Sequence, residues 1–103
     1  MHINNQKDVV GKQGMVKLPA TILARVGVVN GVSEVECKYV YGDTQYVYSM
    51  FMTRDFTVGE HVEKVFPMKI VGYVYERDIY MVLIGGQIVK AGSEQIIGIS
   101  EEE

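Results

Sequence analysis

The chain has 103 residues, 48% of them hydrophobic and 22% charged, with a formal net charge of −3. That is the make-up of a folded chain and not a disordered one, long enough for one domain or two very small lobes. No apolar run approaches the roughly 20 residues of a membrane span, no basic-then-apolar leader opens the sequence, and the single cysteine, Cys37, cannot form an internal disulfide, so a cytoplasmic protein without membrane contact is expected.

Charge is unevenly spread. Residues 1–31 hold Lys7, Lys12, Lys17 and Arg25 against Asp8, a local excess of +3. Residues 53–103 hold five basic and nine acidic side chains, three of the latter being Glu101-Glu102-Glu103. A phosphate-bearing partner would meet the N-terminal part. A basic protein partner would meet the acidic C-terminal half.

In chain order, Met1–Gln6 is polar apart from Ile3. Lys7–Val10 suits a first strand, and Gly11-Lys12-Gln13-Gly14 a turn with Lys12 and Gln13 at its tip. That loop reads either as a basic contact loop or as a plain hairpin turn. Met15–Leu18 alternates as a strand. Pro19 then suits the first position of a short α-helix, where its missing N–H costs nothing. Ile22, Leu23 and Val26 follow as one apolar stripe, Gly27 fits a left-handed C-cap, and Asn30-Gly31 is a turn pair.

Val16-Lys17-Leu18-Pro19, Ile22, Val26-Gly27-Val28 and Gly31, with Gly14 ahead of them, resemble the core motif of the AbrB/SpoVT family over residues 7–52. The resemblance implies a swapped-hairpin barrel formed by two chains. It also implies DNA binding by a homodimer, with Lys7, Lys12, Lys17 and Arg25 on phosphates and Gln13 beside them. Met15 stands where many members of that family carry an arginine.

After Gly31 the period becomes two. Val35, Cys37, Tyr39 and Tyr41 run up to Gly42-Asp43-Thr44-Gln45, and Tyr46, Tyr48, Met50 and Met52 run back. A turn centred on Asp43-Thr44 would set Tyr41 against Tyr46 and Tyr39 against Tyr48. The tyrosine face reads as the core side of a small barrel, or as a platform for bases or a peptide. Val16, Leu18, Ile22, Val26, Val35, Cys37, Tyr39, Tyr48 and Met50 form the expected core.

From Phe56 to Val62 the pattern of apolar residue, valine, glycine and acid resembles the entry of KOW and Src-homology small barrels. Strands are expected at Ile70–Tyr75, Ile79–Ile84, Gln87–Ala91 and Ile96–Ile99. Glu76-Arg77-Asp78, Gly85-Gly86 and Gly92–Gln95 would turn between them. Over residues 56–99 this resemblance implies a five-stranded barrel.

The inventory offers no catalytic constellation. His61 lies between Glu60 and Glu63 with no second histidine near it, so no metal site is expected. Cys37 falls on an apolar face, as a structural thiol does. No glycine loop stands in the strand-loop-helix setting of a phosphate cradle, and no cofactor is expected. The sequence thus predicts a mostly β, non-enzymatic chain. It would comprise an AbrB-like lobe at 1–52, with one short α-helix, and a small barrel at 53–103 with an acidic tail. The expected role is a dimeric DNA-binding transcriptional regulator. The alternative is a protein-interaction or assembly module, such as an accessory or viral structural subunit.

Overall fold

Apolar residues at every second position run through most of the chain, and strands are the outcome. A computed structural model describes residues 9–100, the Tyr75 side chain excepted. Its strands are β1 (Gln13–Val29), β2 (Val32–Tyr41), β3 (Thr44–Met52), β4 (His61–Val74), β5 (Ile79–Ile84), β6 (Gln87–Gly92) and β7 (Ile96–Ile99). They form one hydrogen-bonded ladder in the order β3-β2-β1-β4-β5-β6, with β7 also pairing to β1. A single ladder replaces the expected pair of separate lobes. Of the expected first strand, Lys7 and Asp8 lie outside the described residues. Val9 and Val10 belong to a turn closed by the Lys12 N–H on the Val9 carbonyl at 3.0 Å.

The expected α-helix is absent: Pro19–Val29 continues β1. Thr21, Ile22, Val26, Val28 and Val29 are β-branched and favour the extended chain. Pro19 falls outside both the β1–β7 and the β1–β2 pairings, so neither of those ladders requires its N–H. Pairing to β7 ends at Val16, and pairing to β2 begins at Thr21. Gly27 therefore caps nothing. It lies in the strand opposite Glu34.

Two compact units share these strands. The first holds the residues up to Leu18 and those from Lys64 onward. Here Val16 and Leu18 of β1 join Ile70, Tyr80, Val82, Val89, Ala91 and Ile96 in a buried core. Gly85-Gly86 makes the expected two-residue turn, both residues at positive φ, so that Ile84 pairs with Gln87. Tyr73 opposes Tyr80, their ring centroids 4.7 Å apart, and Val74 opposes Ile79, so the strand ends one residue short of the expected Tyr75. A 3-10 turn at Tyr75–Arg77 takes up that difference.

Asp78 ends this turn in the left-handed conformation at φ 54°. It accepts hydrogen bonds from the Tyr73 hydroxyl at 3.1 Å and the Ser93 hydroxyl at 2.5 Å. Asp78→Ala is therefore expected to cost about 1–2 kcal/mol in denaturant unfolding, from two exposed hydrogen bonds and a disfavoured backbone conformation. Asp78→Asn, which tolerates that conformation, should lose less. Equal losses would refute the backbone part of the account.

The second unit, Pro19–Glu63, holds most of β1, all of β2 and β3, and the start of β4. Asn30-Gly31 forms the expected turn, with φ 52° and 80°, and Val29 pairs with Val32. Gly42-Asp43 makes the next turn in two residues, not four. Tyr39 consequently faces Tyr46, and Cys37 faces Tyr48. Because this register differs from the expected one by two residues, the same side chains stay on the inner face. Ala20, Ile22, Val35, Cys37, Tyr39, Tyr48, Met52 and Val62 are buried; Met50 is half-buried. Burial pushes the Tyr48 hydroxyl well above the usual phenol range, and nearby Cys37 and Glu63 add to the effect.

Val26 was expected in this core but is 52% exposed. The β1–β2 register slips between Ile22 and Ala24 and again between Arg25 and Gly27. Leu23 and Val26 are the extra residues of two bulges, and each leaves the ladder unpaired.

Candidate interaction edge

Strand β3 reads Thr-Gln-Tyr-Val-Tyr-Ser-Met-Phe-Met, nine residues without charge, proline or glycine. Its inward side chains, Tyr46, Tyr48, Met50 and Met52, are buried or half-buried against β2 and the unit core. Its outward side chains are Gln45, Val47, Ser49 and Phe51, all exposed. Val47 is 46% and Phe51 58% exposed, and Val40 on the neighbouring strand is exposed with them. β3 stands at one end of the ladder. In a two-residue hairpin the residues flanking the turn exchange both hydrogen bonds, so Thr44, Tyr46 and Tyr48 bond to β2. By the same alternation, the backbone groups of Val47 and Phe51 point away from β2.

The C-terminal end of β3 faces a cleft of about 320 Å³, lined by Met50–Arg54 on one side and His61–Glu63 on the other. The segment between them is held by its own contacts. The Arg54 guanidinium forms an ion pair with Glu60 and donates to the Asp55 carbonyl at 2.8 Å. The Thr57 N–H donates to the Glu60 carboxylate at 3.2 Å, and the Glu60 N–H to the Thr57 carbonyl at 3.0 Å. Arg54, and then the Thr57 amide, hold the Glu60 carboxyl below its ordinary value of 4.5. A carboxyl so depressed contributes stability above that value and loses it as pH falls through the folded value. The Glu60 carboxyl is therefore expected to titrate below 4.5 by NMR, with the Thr57 amide shift following it. Arg54→Ala should move both inflections upward, and unmoved inflections would remove the ion pair from the account.

The residues expected to contact DNA are placed as follows. Lys7 lies outside the described residues. Gln13 and Lys17 share the outward phase of β1 with Met15, opposite to buried Val16 and Leu18, and Lys12 falls in the other phase just before the strand. The Lys17 carbonyl accepts from the Gln95 amide at 3.2 Å. Arg25 belongs to the other unit, where its guanidinium lies 5.2 Å from the centroid of the Phe56 ring. That contact covers an aromatic face and is worth about 0.5–1 kcal/mol at an exposed site. His61 is exposed, and Cys37 is buried and in no disulfide. Among the described residues, no group of three or more histidine, cysteine or acidic side chains could hold a metal, and no helix is long and apolar enough to cross a membrane.

Val47 and Phe51 were not singled out from the sequence. The signal available was the run of nine uncharged residues in a chain that is 22% charged. No family model matches the chain, and neither a curated protein nor a solved structure is significantly similar to it.

Proposed function

We propose that this chain is a protein-interaction or assembly module, an accessory or structural subunit that works by presenting a sheet edge. The observation that carries the reading is β3. Proteins that remain alone blunt their edge strands with charges, proline or brevity. β3 has none of these, and it exposes Val47 and Phe51 beside its outward backbone groups. Strand addition at such an edge takes affinity from main-chain hydrogen bonds and selectivity from alternate side chains.

The test compares the parent with Val47→Lys/Phe51→Lys, which installs the charges that protect other edges. Both proteins are assayed for stoichiometric protein partners, a second copy included, and for short duplex DNA at two salt concentrations. The parent is expected to hold a protein partner that the variant loses, with both proteins folded. DNA binding whose log–log salt slope drops by about two when Lys12 and Lys17 are neutralised would instead establish the regulator. Identical partner sets for parent and variant would defeat the edge reading.

A further inference from the structure

We infer that the strand β3 adds to is β3 of a second copy of this chain, antiparallel across a two-fold axis. This rests on the edge reading above and names its occupant. The two ends of the ladder are built differently. β6, at the far end, has six residues and carries Lys90. β3 has nine and carries no charge. The chain as a whole bears −3, so two copies repel at long range, and contact is least opposed where neither contributes charge. A strand with net charge of either sign would meet the same sign in its own copy, whereas a neutral strand does not. A dissimilar partner imposes no such requirement, because any charge on the edge could be matched by its opposite.

Geometry agrees with the charge. Identical chains associate most often through isologous two-fold contacts, the same patch on both. An antiparallel pairing of β3 with itself brings outward backbone groups against outward backbone groups. It places Val47 and Phe51 of both copies side by side on one continuous outer face, next to Val40. One strand pair is a small interface, at the low end of those that hold in solution, so the association should be concentration-dependent. It needs no exchange of hairpins, and each copy keeps its own β1–β2–β3 meander.

Sedimentation of the full chain from about 1 to about 300 µM should show the mass rising toward two chains by mass action. Added salt should leave the association unchanged or slightly stronger, since only the repulsion of like net charge is screened. Val47→Lys/Phe51→Lys should stay at one chain over the same range with an unchanged circular dichroism spectrum. A parent that remains one chain throughout overturns self-pairing. The edge reading survives that result if the variant still loses a dissimilar partner. A variant that dimerises like the parent shows the contact to be elsewhere, and also overturns it. Should the variant fail to fold, amide exchange in the parent decides the matter. The Val47 and Phe51 amides must slow at least tenfold between the dilute and concentrated samples, and no slowing overturns the proposal.

Discussion

Ile22→Ala should lower stability by about 2–5 kcal/mol, the range for emptying a buried aliphatic site. Ile22 is 1% exposed and sits opposite Cys37 in the ladder. Its backbone is also held from the other side, because its N–H donates to the Glu60 carbonyl at 3.0 Å and its carbonyl accepts from the Gly59 N–H at 2.8 Å. The surrounding strands are therefore poorly placed to collapse into the space a truncation leaves. A fall in melting temperature of roughly 10 °C or more follows for a chain of this size. Val26→Ala is the internal control, since the bulge exposes Val26, and it should change stability by no more than about 0.5 kcal/mol. Comparable losses at the two sites would mean that the bulged register is wrong.

Gly14→Ala is expected to be as damaging for a different reason. A Cβ on Gly14 would sit 2.1 Å from the Gly98 carbonyl oxygen and 3.1 Å from both the Gly98 carbonyl carbon and the Ile99 Cα. All three are backbone atoms of β7, which pairs with β1 through Gly14–Ile99 and Met15–Gly98. No side chain can swing aside, so the strands must part and the ladder hydrogen bonds with them. The expected loss is about 3 kcal/mol or more, the upper end for overpacking. The reciprocal change separates this from a general intolerance of larger residues. A Cβ on Gly98 meets nothing within 4 Å, so Gly98→Ala should leave the unfolding midpoint nearly unchanged.

What could be read from the sequence, and what could not, follows from the periods of particular segments. Asn30-Gly31 and Gly85-Gly86 were legible because two residues at positive φ between alternating runs admit few other conformations. The helix was misread because two bulges lengthen the repeat of β1. Leu23 and Val26, two of the three residues of the apparent apolar stripe, are the extra residues of those bulges and so recur at a spacing of three. A spacing of three lies closer to the helical 3.6 than to the strand period of two, and with Pro19 at its head the segment imitates a helix. β4 was seen only from Ile70 onward. Pro67 interrupts the run, although Val62, Phe66, Met68 and Ile70 keep the alternation. At the candidate site, the neutrality of β3 was visible and its significance was not. A neutral strand is unremarkable inside a sheet, as β5 is, and becomes exposed to partners only at an end of the ladder, a position that depends on pairings far apart in sequence.

The partners of β1 also set the order in which the fold is completed. β2 and β3 follow it directly, joined by two-residue turns, and such local contacts form fast. β4 comes after a long interval, and β7 later still, yet both must pair with β1. During synthesis the first strand therefore waits, with one side paired in a hairpin and the other side open, until β4 has left the ribosome. Its first residues wait longer, for β7. Closing contacts so distant in sequence is slow, and a chain with only its first three strands paired would leave β1 without its β4 and β7 partners. Truncation before β7, or slowed translation through β4, would lengthen that wait and favour aggregation of the nascent chain over folding.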